Sequence, residues 1–86
     1  MYALKLSDKL IEKFRKMEKR NRKQLEAINK KVLEIRENPY RFKPLGNIMS
    51  GLWRVHFGSF VLVYSIDELN KKIVLEDYDH HDNIYK

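Results

Sequence analysis

The chain has 86 residues, enough for one domain with a modest core and too few for a deep internal pocket. It carries 18 Lys and Arg against 12 Asp and Glu, and it has no cysteine, which excludes a disulfide framework and a thiolate zinc site. The apolar runs, such as Phe60 to Tyr64, are far below membrane-spanning length and no signal peptide is recognisable, so a soluble, cytoplasmic protein with no membrane partner is expected.

The charge is uneven. Residues 1–43 hold 14 Lys/Arg and 6 Asp/Glu, whereas residues 44–86 hold 4 and 6. The excess is sharpest from Arg15 to Lys23, where six of nine residues are basic. Such a patch attracts polyanions, with a solvated helix face as the ordinary alternative.

In chain order, Tyr2 to Lys5 alternates weakly and reads as a short edge strand. Ser7 suits a helix N-cap, followed by Asp8 in the first turn. Leu10, Ile11, Phe14 and Met17 recur at helical spacing. Asn21 with Gln24 three residues on marks a second helix start. Leu25, Ile28, Val32 and Ile35 supply its stripe and Asn38-Pro39 its stop. So short a connection makes the two helices antiparallel and puts the basic cluster at the hairpin tip.

Tyr40 to Ser50 has no clean period and reads as a loop. From Leu52 the period becomes two, with Trp53, Val55 and Phe57 on one side and Leu52, Arg54 and His56 on the other. Gly58-Ser59 fits a type II′ turn, glycine first. Pairing Phe57 with Phe60 then sets Val55 against Leu62, Trp53 against Tyr64, His56 against Val61 and Arg54 against Val63. A looser turn over Asp67–Lys71 leads to a third strand, Ile73 to Tyr78. The expected fold is α+β. An N-terminal antiparallel helical hairpin packs on a small, mostly antiparallel sheet with a short strand at the N-terminus, and residues 1–86 form a single domain.

Arg54 and His56, two apart on a strand, share a face. The chain ends Asp79-His80-His81-Asp82-Asn83-Ile84-Tyr85-Lys86, which adds two imidazoles and a phenol beyond the third strand. An arginine can hold a phosphate, an imidazole can move a proton near neutral pH, and a tyrosine can stack on a base. Each residue singly has an ordinary alternative: a sheet-edge arginine, an exposed strand histidine, a solvated tail, a tyrosine packed on the core. Asp77, Asp79 and Asp82 favour a protonated imidazole but repel phosphate. Adjacent histidines on an extended chain diverge, so no metal site is expected there.

The run Pro44-Leu45-Gly46, Ser50-Gly51-Leu52-Trp53-Arg54-Val55-His56-Phe57-Gly58-Ser59-Phe60-Val61-Leu62-Val63-Tyr64 and His80-His81 before Tyr85 resembles the RelE/ParE superfamily of type II toxins. It looks most like the RelE branch, over essentially the whole chain. The resemblance implies a RelE-like toxin domain that cuts mRNA in the ribosomal A site. It also implies that the RNA 2′-hydroxyl attacks the adjacent phosphate, without metal or cofactor. It implies a cognate RelB-like antitoxin as partner, a heterotetramer being one assembly, besides ribosome and mRNA.

By position, Arg54, His56, His81 and Tyr85 match the family's site residues. His80 is a second candidate on the tail, and Lys43, Lys19, Arg20, Arg22 and Lys23 are candidates for RNA binding. Val61 departs from the family, standing where many members have an arginine, so a phosphate-binding cation is missing unless Lys43 reaches in. Two other readings remain: a ParE-like gyrase inhibitor, and a non-catalytic RNA- or protein-binding member of the same fold. Exposed apolar positions such as Leu52, Val61 and Val63 are expected to receive antitoxin.

Overall fold

The computed structural model describes residues 1–46 and 51–85, so residues 47–50 of the expected loop lie outside the described residues. The order is β1 (Ala3–Leu6), α1 (Asp8–Arg20), α2 (Arg22–Glu37), a 3₁₀ turn (Pro39–Arg41), β2 (Lys43–Pro44), β3 (Leu52–Phe57), β4 (Phe60–Asp67), β5 (Lys72–His80) and α3 (His81–Ile84). The sheet order is β1-β5-β4-β3-β2.

Local chemistry starts both long helices where the sequence suggests. The Ser7 hydroxyl accepts from the Leu10 N–H, and Asn21 accepts from the Gln24 N–H while its amide donates back to the Gln24 side chain at 2.9 Å. These contacts satisfy amides that would otherwise be unpaired at a helix start. Asn38 ends α2 and Pro39 opens the 3₁₀ turn. That turn and β2 lie where a loop without regular structure is expected. β2 forms because Lys43 and Pro44 pair with Arg54 and Trp53 on β3, a tertiary partner that local periodicity does not reveal.

The β3–β4 hairpin has the expected register throughout, from Leu52 opposite Ser65 to Phe57 opposite Phe60. Gly58 has φ +59° and Ser59 does not enter the left-handed region, which fits a type II′ turn. β1 joins β5 in parallel, the two being separated in sequence by the helical hairpin and the β2–β4 strands.

Leu10, Ile28, Val32 and Ile35 from the helices meet Val55, Leu62, Tyr64, Ile73, Leu75 and Tyr78 from the sheet in one core. Each large apolar side chain buried there contributes about 1.5–3 kcal/mol. Ile11 leaves the expected stripe and is exposed, because Leu10, Phe14 and Met17 already fill the face that meets the sheet. The sheet's other face is less open than expected. Val61 and Val63 are buried, at 0% and 3% exposure, so they offer no free apolar surface to an antitoxin.

The most consequential irregularity lies between β4 and β5. Val63 pairs with Asp77 but Tyr64 pairs with Leu75, leaving Glu76 as an extra residue. This bulge inverts the alternation. Ile73 and Leu75 face the helices before it and Tyr78 does so after it. Asp79 therefore comes opposite Val61, in the row that begins with His56 on β3.

Candidate active site

The end of β5 turns directly into α3, and this turn builds the site. His80 closes the strand as the helix N-cap, its Nδ1 accepting from the Asp82 N–H at 3.2 Å. The His81 N–H donates to the Ser59 carbonyl at 2.7 Å, tying α3 to the β3–β4 turn. One helical turn later Tyr85 lies beside His81, ring centroids 4.5 Å apart.

Both rings lie against the exposed face of β3. The His56 centroid is 6.1 Å from that of His81 and 6.3 Å from that of Tyr85, with only 14° between the His56 and Tyr85 planes. Arg54 Nη1 is 3.0 Å from His56 Nδ1, and its guanidinium stands 6.0 Å from the Tyr85 ring centroid. Arg54, His56, His81 and Tyr85 thus form one cluster, drawn from positions about thirty residues apart by the hairpin and α3. His80 stands apart from it: its ring meets Phe60 at 5.7 Å and its nitrogen caps the helix.

Lys43 joins from the edge strand. It pairs with Arg54 in the β2–β3 register and lines a shallow groove with Arg41, Phe42, Arg54 and His56. Lys19, Arg20, Arg22 and Lys23 are exposed at the tip of the helical hairpin, away from the cluster itself. Arg20 nevertheless shares a groove with Phe60, Tyr78 and Asp79, so tip and cluster occupy the same end of the molecule.

The electrostatics favour an anion on the β3 side. Burial, then Arg54, then His81 push the His56 imidazole below its ordinary 6.5. Asp77 and Asp79 on β5 are engaged from α1. Lys9 reaches Asp77 at 3.1 Å, and Lys13 reaches Asp77 at 3.2 Å and Asp79 at 3.4 Å. Asp79 also accepts from the Asn83 amide at 3.0 Å and the His80 N–H at 2.7 Å, and its carboxyl is pulled down to about 2, chiefly by the Asn83 bond.

Lys13 and Asn83 are absent from the sequence-derived candidates, and Asp79 figures there only as a charge near the tail imidazoles. The Asp79–Asn83 bond runs from the end of β5 to α3, so it becomes visible only once a helix is placed at the terminus. Among the described residues, no group of three or more His, Asp or Glu side chains is arranged to hold a metal ion. No helix among them is long and apolar enough to cross a membrane.

A two-layer α+β fold with an exposed cationic and aromatic cluster at one sheet end defines the class. The family of the ParE toxin of type II toxin–antitoxin systems, parDE, matches residues 3–85. A Methanosarcina mazei protein is 55% identical over 86 residues, covering 99% of this chain and 100% of its own. A Methanocaldococcus jannaschii chain given the toxin name RelE4 is 45% identical over 87 residues, 100% of this chain and 93% of its own.

Among solved structures, the isolated RelE toxin of E. coli superposes with a TM-score of 0.79 at 19% identity, over 93% of this chain and 84% of that one. The toxin–antitoxin complex RelBE2 of Mycobacterium tuberculosis gives 0.70 at 23% identity, over 92% and 96%. The chain belongs to the RelE/ParE toxin superfamily of type II toxin–antitoxin systems.

Proposed function

We propose that this toxin cleaves mRNA on the ribosome by internal transesterification. The observation that carries the reading is the assembly of Arg54, His56, His81 and Tyr85 on one exposed sheet face. The RNA 2′-oxygen bonds to phosphorus as the P–O5′ bond breaks, leaving a 2′,3′-cyclic phosphate and a 5′-hydroxyl. The nucleophile is the RNA's own hydroxyl, so the step calls for proton transfer and charge neutralisation. An imidazole, His81 or His56, moves the proton. Arg54 and Lys43 neutralise the phosphate, in place of the cation that Val61 does not supply. Tyr85 stacks on a base, and Lys19, Arg20, Arg22 and Lys23 approach ribosomal RNA.

A cognate antitoxin is the expected partner, as in the M. tuberculosis complex, and a heterotetramer is one form we propose for the assembly. Adding the purified protein to an in-vitro translation reaction tests the cleavage reading. Truncated mRNA, mapped by primer extension at ribosome-occupied codons and suppressed by Arg54→Ala, is the expected result. Intact mRNA and undiminished protein synthesis would overturn it.

The ParE family match and the valine at position 61 favour one second reading, inhibition of DNA gyrase without cleavage. A supercoiling assay separates the two, because an RNA-cleaving toxin leaves gyrase untouched.

A further inference from the structure

The cluster contains two imidazoles, and their surroundings differ. Arg54 Nη1 lies 3.0 Å from His56 Nδ1. A guanidinium has five N–H groups and no acceptor, so in this contact it can only donate. Nδ1 of His56 must therefore be the bare nitrogen, and the neutral ring carries its proton on Nε2. A general base needs a bare nitrogen directed at the substrate. The bare nitrogen of His56 is directed at Arg54 instead.

We infer that His56 is a fixed hydrogen-bond donor to the phosphate through Nε2–H, and that proton transfer belongs to His81. This rests on the RNA-cleavage reading and assigns roles within it. Protonating His56 at Nδ1 would set an N–H against an N–H of a cation, and burial opposes the charge as well. Arg54 keeps four further N–H groups after its bond to His56. With Lys43 on the paired position of β2, the phosphate then meets an ammonium, a guanidinium and a neutral imidazole N–H along one groove. This trio of donors fills the role left vacant by Val61.

His81 has the opposite environment. It is exposed, and its Nδ1 stands 3.6 Å from an Asp82 carboxylate oxygen rather than under a cation. It takes the 2′-hydroxyl proton as the 2′-oxygen attacks. The departing 5′-oxygen takes a proton from water, and the hydroxide so formed is neutralised by the His81 imidazolium, so no other reactant is consumed.

Long-range ¹H–¹⁵N correlation spectra of histidine-labelled protein at pH 7.5 read the tautomer directly. The expected pattern for His56 is a protonated Nε2 and a bare Nδ1, with the preference weakened in Arg54→Met toward the tautomer mixture of a free imidazole. Cleavage rates give the second arm. Glutamine places an amide N–H near the position of Nε2, so His56→Gln should retain cleavage within about tenfold, whereas His56→Ala should lose about 10²–10³-fold, the usual cost of one transition-state donor. His81→Gln should lose about 10²–10⁴-fold.

A His56 ring protonated on Nδ1, alone or as imidazolium at pH 7.5, would overturn the inference. So would a His56→Gln variant that is folded by its amide spectrum yet as inactive as His56→Ala. Absence of cleavage by the unsubstituted protein overturns the endoribonuclease reading and with it the proton-transfer role of His81, while the nitrogen shifts still decide the state of His56.

Discussion

Tyr85 meets the site with its ring face, against His81, His56 and Arg54, and this decides what its substitution should do. Stacking of a base on an aromatic side chain contributes about 1–3 kcal/mol, roughly 5–150-fold in affinity. Tyr85→Ala should lower kcat/KM by that order and Tyr85→Phe by less than about threefold, measured as single-turnover cleavage on programmed ribosomes. Equal losses in both variants would place the function in the hydroxyl instead. Tyr64 gives the structural contrast. Its buried hydroxyl donates to the Pro39 carbonyl at 2.6 Å, fixing the exit of α2 to the sheet, and burial pushes the phenol well above its ordinary range. Tyr64→Phe leaves that carbonyl short of a partner and should cost about 1–3 kcal/mol in urea denaturation. It should leave the His56–Tyr85 ring contacts intact.

α3 spans four residues, too short to be helical on its own. It is held from outside, by the Ser59 carbonyl on His81 and by Asp79, which grips the His80 amide and Asn83 while Lys13 holds Asp79 from α1. Asp79→Ala should therefore release His81 and Tyr85 without unfolding the sheet. Nuclear Overhauser contacts between the His56 and Tyr85 rings should vanish, and cleavage should fall about 10²-fold or more, toward the loss from removing His81 itself. Ring contacts that survive the substitution would show that the Ser59 bond suffices.

The same elements mark where the sequence was legible. The β3–β4 register followed from alternation and one glycine turn, because both signals are local. The parallel β1–β5 pair, β2 and the Glu76 bulge each depend on a distant partner, so no window of residues carries them. Arg54, His56, His81 and Tyr85 were recognisable from residue type and family resemblance. Their supports were not, since Asp79 faces Val61 only after the bulge has inverted the strand.

At the scale of the whole molecule, charge and structure divide between two ends. Far from the site, Glu68 gathers Tyr2, Tyr40 and Lys71, joining β1, the 3₁₀ turn and the β4–β5 turn. Hydrogen bonds from Lys71, then Tyr40, then Tyr2 draw its carboxyl from 4.5 to about 2. A carboxyl depressed on folding stabilises the native state above its ordinary value, and that contribution is lost as pH falls toward the folded value. Glu68→Gln should lower Tm by a steady amount above about pH 5, with the gap closing between about pH 4.5 and 2. A gap that is flat across this range would mean that the charge on Glu68 adds nothing to folding.

At the other end, the proposed function gives the basic hairpin tip a part in encounter with RNA rather than in chemistry. Lys19, Arg20, Arg22 and Lys23 are exposed, in none of the contacts that hold the cluster together. Converting these four residues to Gln should leave Tm and cleavage at saturating ribosome nearly unchanged. It should weaken ribosome association, and the slope of log affinity against log salt should become shallower by up to about 0.7–0.9 for each phosphate contact removed. The discrimination lies in the split. A raised KM with steady kcat assigns the tip to docking, whereas an equal fall in kcat would draw it into the site.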